Sequence, residues 1–366
     1  MDIKLNHGPI TELMQHGLQS KVFPGAVLLV GRGDRTLYFE AFGTANLFTR
    51  APMSRETVHD LASLTKPLAT TLAVAKLVDR GDVGFDQSVE RWLPALSGSD
   101  KSAITIRQLL GHQSGFPAHD LMYMRHRSVA PKERKSAALG LLKRIPLVCP
   151  PGRRVLYSDL GFMLLRQLVE SVAGCTLDRF LIDEIFGPSG LNDLFYVDLN
   201  SGQRPCRAYA ATELCPHRNR LLTGEVHDDN AWWGGGIDGH AGLFGTADAV
   251  FQLMRLLARD YRGGRPKAIL SSRTINEVFH GNAENRFPLG FDRPAKQNSS
   301  AGCHFSGNTV GHLGFTGVSF WMDLDADITV VLLTNRVHPF RWNSQLQHFR
   351  PRIHDRILEQ IDIYSD

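Results

Sequence analysis

The 366-residue chain has no excess of charge of either sign. Its 41 basic and 37 acidic residues leave a formal +4. A balance that close argues against nucleic acid or an anionic membrane surface as partner. The most basic stretch, Arg125 to Lys135, contains Pro131 and Glu133 and no aromatic residue, and reads as a solvated loop. Cysteine is scarce. The five, Cys149, Cys175, Cys206, Cys215 and Cys303, form no CxxC pair and are odd in number. That excludes a disulfide framework or structural zinc site as the expected reading and favours reduced thiols in a cytoplasmic protein. No apolar run approaches the ~20 residues of a membrane helix. Met1-Asp2-Ile3-Lys4-Leu5-Asn6-His7-Gly8 lacks the basic start and apolar core of a signal peptide. A cytoplasmic location is therefore expected, barring an export leader absent from this sequence. Gly234 to Gly236 follows no strand of dinucleotide-binding type, so no such cofactor, and no metal, is expected.

What the chain does have is a 43% hydrophobic, 21% charged composition, ordinary for a globular protein of one large domain or two lobes. Pro9 to Gln19 reads as an amphipathic helix. Gly25 to Gly31 and Thr36 to Phe42 read as a hairpin about Gly31-Arg32-Gly33-Asp34. Helices are expected over Pro67–Val78, Thr105–Leu110, Lys135–Arg144, Asp159–Ala173, Leu177–Phe186, Thr246–Arg262 and Ser271–Phe279. Strands return at Val318–Met322 and Ile328–Leu333 around a polar turn, and Leu346–Ile361 closes the chain as a helix. Strands at both ends must meet to bury their apolar faces. The expected division is thus 1–80 with 241–366 as an α/β lobe, and 81–240 as a mainly helical lobe, with a cleft between them.

Ser63-Leu64-Thr65-Lys66 lies where a short extended run gives way to an Ala-rich helix. Pro67 belongs in that helix's first turn. Residues three apart share a helix face, so the Lys66 ammonium can reach the Ser63 hydroxyl. A serine needs such a partner to become a nucleophile. Taken alone, the pattern equally describes a capping serine and a solvated lysine. Two further segments change that balance. Tyr157-Ser158-Asp159 stands just before a helix, and Gly311-His312-Leu313-Gly314-Phe315-Thr316-Gly317 lies near the C-terminal strands, its glycines allowing backbone close to a ligand.

Together these resemble the class C β-lactamase, penicillin-binding protein and serine-esterase superfamily. Its ordered motifs Ser-x-x-Lys, Tyr-x-Asn and Lys/His-Thr-Gly match Ser63–Lys66, Tyr157–Asp159 and His312–Gly314, which lie 94 and 155 residues apart. His112 to Pro117, Gly239 to Gly245 and Leu332 to Arg336 also look like this family, and the likeness runs from Phe23 to Arg336. The resemblance implies an α+β fold of β-lactamase/transpeptidase type, with an antiparallel sheet flanked by N- and C-terminal helices and an inserted helical lobe. It implies Ser63 as acylated nucleophile, Lys66 and Tyr157 as proton partners, the backbone N–H groups of Ser63 and Phe315 as oxyanion hole, and Asp159, His312 and Gly314 at the substrate.

Two positions depart from the pattern. Asp159 replaces an asparagine, and its carboxylate should raise the Lys66 pKa and leave Tyr157 as base. His312-Leu313 replaces lysine and threonine; histidine carries charge only partly at pH 7 and leucine cannot hydrogen-bond. Both favour an uncharged or less polar acyl substrate. The expected protein is a serine hydrolase acting on a small-molecule ester or amide, an esterase first. A D-Ala-D-Ala carboxypeptidase or weak β-lactamase is the alternative, and a non-catalytic ligand-binding homologue is the reading of another class. His240 is expected to be structural, His227-Asp228-Asp229 a polar loop. Trp232-Trp233 and Met122-Tyr123-Met124 are evenly divided between pocket wall and packing.

Overall fold

The computed structural model describes residues 5–263, 268–281 and 285–361. Met1 to Lys4, which open the stretch read for a leader, lie outside the described residues. Helix α1 (His7–Gln19) is capped by Asn6, whose side chain accepts from the Gly8 amide. Strands β1 (Gly25–Arg32) and β2 (Arg35–Asn46) form the expected hairpin, with short β3 (Ala51–Pro52) beside them. At the other end of the chain come β4 (Thr309–Leu313), β5 (Val318–Asp323) and β6 (Ile328–Thr334). The six form an antiparallel sheet in the order β3-β2-β1-β6-β5-β4. The two ends of the chain meet at the β1–β6 pairing, which sets Ala26 opposite Thr334 and Val30 opposite Val330.

β1 is an unbroken apolar run because both of its faces are covered. Ala26, Leu28 and Val30 pack with Ile10 and Met14 of α1 and with Phe349 and Ile353 of the last helix, α5 (Leu346–Glu359). Val27 and Leu29 point the other way, into a larger core. That core takes in α2 (Leu72–Asp79), α3 (Asp159–Ala173) and α4 (Ala247–Tyr261) through Leu72, Leu164 and Phe251. Asn335 stitches the sheet's end. Its Oδ1 accepts from the Gly25 amide, and its Nδ2 donates to the carbonyls of Thr44 and Ala45.

Three differences from the sequence reading bear on the site. Residues 309–313, where no strand was expected, form the edge strand β4. A three-stranded sheet of His59–Asp60, Leu243–Gly245 and Leu194–Tyr196 lies beside Ser63. The basic stretch read as a solvated loop is helical from Pro131, whose missing N–H suits a first helical position. Among the described residues no single helix is long and apolar enough to cross a membrane.

Candidate active site

The chain reaches Ser63 through a bend. Ala62 takes φ of +46°, a strained value for a residue with a side chain. Residues 62–64 then make one tight turn, Lys66–Thr71 a wide turn around Pro67, and α2 continues from there. Buried Asp60 holds the bend. Its Oδ1 accepts from the Ala62 amide at 2.8 Å and its Oδ2 from the His227 amide at 2.6 Å, while its carbonyl accepts from Thr316 Oγ1. Burial pushes the Asp60 carboxyl pKa up, and the two amides oppose it.

β4 ends against this bend. A Cβ on Gly314 would lie 2.3 Å from Val318 Cγ2 and 2.8 Å from the Leu61 carbonyl oxygen, so only glycine fits. The next residue, Phe315, shares two cavities with Ser63. Among the described residues no acceptor takes the Phe315 amide proton. Its ring is half-exposed, stacked on His227 at 5.5 Å with the Arg336 guanidinium 4.8 Å from its centre.

Lys66 is fully buried. Its Nζ donates to Ser63 Oγ at 3.0 Å, to Asp159 Oδ1 at 2.7 Å and to the His240 carbonyl at 3.2 Å. An ammonium has three N–H bonds, and all three are taken. Burial opposes the charge, but Asp159 and then Tyr157 outweigh it and raise the pKa above the ordinary lysine value. A lysine held this way has no lone pair with which to take a proton from Ser63.

Tyr157 lies across Lys66, with Nζ 4.8 Å from the ring centre. Burial raises the phenol's pKa, while Lys66 and Ser63 pull it down. Its ring stacks on His112 at 4.4 Å. His112 holds the loop in two ways: its carbonyl accepts from the Leu156 amide and its Nδ1 from the Ser158 amide. Burial, then Lys66, keeps the His112 pKa well below the usual histidine value, as an accepting ring nitrogen requires.

His312 is buried, and its Nδ1 bonds the Leu313 carbonyl. Burial and nearby Lys66 lower its pKa to about 3. The partial positive charge expected of it is therefore absent at neutral pH, because burial, and then the Lys66 cation beside it, disfavour the charged ring. Positive charge enters the site elsewhere. A cavity of about 550 Å³ in front of Ser63 is lined by Tyr157, His312, Gly314 and the arginines Arg286, Arg336 and Arg350. Arg286 is paired in two-pronged fashion with Asp292. Among the described residues the Arg336 side chain donates only to the carbonyls of Phe315, Arg341 and Asn343. Arg350 is 7% exposed, and among the described residues its Nε has no partner. A second cavity of about 370 Å³ that also touches Ser63 is lined by Tyr123, Asp159, His227 and Asp228.

Sequence reasoning missed Asp60, His227, Asp228 and the arginines. Asp228 caps a short helix, Asp229–Trp233, and bonds His240 Nε2 at 2.9 Å. The run Asp228-Asp229-Asn230-Ala231 before two tryptophans was a readable capping signal. His240 is buried; burial lowers its pKa, but Asp228 and Asp238 prevail and carry it up to about 10. Of the residues left evenly divided, Trp233 and Met122 are core, Trp232 packs under Arg218, Met124 is exposed, and Tyr123 lines the second cavity.

An antiparallel sheet covered by the chain's terminal helices, with a serine and lysine at the head of a helix facing its edge strand, defines a β-lactamase/transpeptidase-like serine hydrolase. The chain belongs to the Beta-lactamase family, whose model matches residues 10–347. A relative from Escherichia coli K12, provisionally named a D-alanyl-D-alanine carboxypeptidase, is 31% identical over 347 residues, covering 86% of this chain and 79% of its own. An N-acetylmuramyl-L-alanine amidase of Bacillus subtilis 168 is 31% identical over 348 residues, covering 86% and 78%. In fold the chain is similar to EstCE1, a hydrolase with promiscuous acyltransferase activity. That match has a TM-score of 0.73 and 24% identity, and covers 96% of this chain and 97% of the other. It is also similar to a penicillin-binding protein homologue of Pyrococcus abyssi, with a TM-score of 0.75 and 20% identity over 97% and 78%.

Proposed function

We propose that this serine hydrolase is an esterase that works through an acyl-enzyme on Ser63. The observation that carries the reading is the chain of hydrogen bonds from Asp159 through Lys66 to Ser63, beneath Tyr157. Ser63 Oγ attacks the ester carbonyl carbon as its proton passes to the Tyr157 phenolate. The carbonyl electron pair becomes an oxyanion facing the amides of Ser63 and Phe315. When the intermediate collapses, the C–O bond to the leaving alcohol breaks, and Tyr157 returns the proton to that oxygen. Water then attacks the Ser63 ester by the same steps in reverse order of partners, which frees the acid. Lys66 stays an ammonium throughout and stabilises the phenolate.

The test is turnover of a p-nitrophenyl ester together with labelling by a fluorophosphonate probe, read by intact mass. Wild type should show both, and Ser63→Ala neither. Tyr157→Phe should fold normally and lose about 10²-fold or more of its turnover. Labelling that persists in Ser63→Ala would sink the reading.

A second reading, a D-Ala-D-Ala carboxypeptidase-type activity or weak β-lactamase activity, is favoured by one observation. Arg336 and Arg350 face the cavity beside Ser63, and among the described residues neither has a carboxylate partner. Burial, then Arg336, lowers the Arg350 pKa to about 10, so it still carries charge at neutral pH. These arginines supply what Leu313 and a neutral His312 cannot, an anchor for a substrate carboxylate. Stable labelling by a fluorescent penicillin, weakened in Arg350→Gln, would favour this reading. Fast ester turnover without such labelling would favour the esterase.

A further inference from the structure

Along α5, beyond Arg350, two segments bring three unlike metal-binding side chains together, with Glu359 next to them. The loop before β4 supplies Cys303 and His304, and α5 supplies Asp355 and Glu359, one helical turn apart on one face. Donor atoms of Cys303, His304 and Asp355 all lie within 4.8 Å of one another. Cys303 Sγ is 3.5 Å from Asp355 Oδ2, and His304 Nε2 is 3.6 Å from Glu359 Oε1. Donors held tetrahedrally at about 2.0 Å for O and N and about 2.3 Å for S are roughly 3.3–3.6 Å apart. The Cys303–Asp355 spacing therefore matches one edge of a zinc tetrahedron, and the His304–Glu359 spacing another.

The loop is set for this. Gly302 has φ of +89°, and a Cβ there would lie 2.1 Å from Asp355 Oδ1, so glycine lets the loop close onto the helix. The Cys303 amide donates to that Oδ1 at 2.7 Å, which leaves Oδ2 turned toward the sulfur. His354 Nδ1 bonds the Ser300 carbonyl and docks the same loop one residue along the helix. The competing contact is weak: Arg356 Nε lies 3.7 Å from Glu359 Oε2. Spacing along the chain hides the set, because Cys303 and Asp355 are 52 residues apart.

We propose that Cys303, His304 and Asp355, with Glu359 beside His304, form a Zn²⁺ site that clasps the loop before β4 to α5. Thiolate and imidazole select a borderline-soft ion over Mg²⁺ or Ca²⁺. Both clasped elements run on to the cavity wall, β4 through His312 and α5 through Arg350. The ion is thus a structural clasp on a frame that the hydrolase site uses, and the proposal stands whether or not the esterase reading does.

The experiment uses full-length, tag-free, reduced protein stripped with a chelator. One equivalent of Co²⁺ should give the near-ultraviolet thiolate-to-cobalt absorption and the visible bands of a tetrahedral site. Zn²⁺ should displace it, and Mg²⁺ should not. Cys303→Ser should abolish the thiolate absorption, and Asp355→Asn should weaken binding at least about tenfold. Zinc should raise the Tm of wild type and leave that of Cys303→Ser unmoved. Cys303 is exposed and lines neither cavity at Ser63, so the variant should keep its fold and ester turnover. Absence of the thiolate absorption in wild type, binding unchanged in both variants, or displacement by Mg²⁺ would each overturn the proposal.

Discussion

At Lys66 the three hydrogen bonds leave little freedom of role. With Ser63, Asp159 and the His240 carbonyl as acceptors, the side chain is held as an ammonium, which the proposed cycle uses to stabilise charge. Tyr157, its pKa raised by burial, is a neutral phenol at pH 7. Where its phenolate is the base, kcat/KM must rise with pH into the alkaline range. Asp159→Asn removes the group that holds Lys66 charged, so burial then lowers the Lys66 pKa. The alkaline limb of kcat/KM should move to lower pH in that variant, as an uncharged Lys66 becomes able to take the serine proton. An unmoved limb would show that Asp159 does not set the Lys66 charge. Ser63, Lys66, Tyr157 and His312 could be named from sequence because each sits in a short motif of fixed spacing. Arg350 and Asp60 could not. A guanidinium or carboxylate in a helix or strand carries no local mark of which cavity or loop it will face.

Among the elements, the sheet's seam is the most sensitive place. Asn335 is buried and joins β6 to β1 and β2 by three backbone contacts. Asn335→Ala should destabilise the fold by about 2–3 kcal/mol, because buried backbone groups lose their partners. Urea unfolding read by circular dichroism measures this; a loss within error would mean that the strands hold without the stitch. Helices were legible where caps mark their starts. Thr105 makes a capping box with Gln108, and Thr246 and Ser271 each accept from the amide three residues on. Strands of two or three residues, such as His59–Asp60 and Leu243–Gly245, have no period to read. β4 was hidden by its glycine, which looks like loop chemistry until a tryptophan from β5 is found packed against it.

Across the whole molecule, histidines tie stability to pH. Burial lowers the pKa of His59 to about 4, and of His312 and His354 to about 3. Each lies below the unfolded value of about 6.5, so the folded state binds fewer protons. Their contribution is complete above pH ~6.5 and is lost as pH falls toward the folded values. His240 runs the other way: raised to about 10, its contribution is complete below pH ~6.5 and is lost as pH rises through 10. Tm should fall from pH 7 to pH 4, and a flat profile over that range would contradict the assignment. The pairing of the chain's two ends could be foreseen at this scale, because apolar strands there had nowhere else to bury themselves. The pairing of cavities around one serine could not, since it arises from loops distant in sequence. That pairing has a kinetic consequence. Ser63 and Phe315 line two separate cavities. In the proposed cycle an acyl chain resting in one leaves the other open to whatever arrives next. Water then competes with small alcohols for the acyl-serine, and the ratio of acid to new ester should track solvent composition.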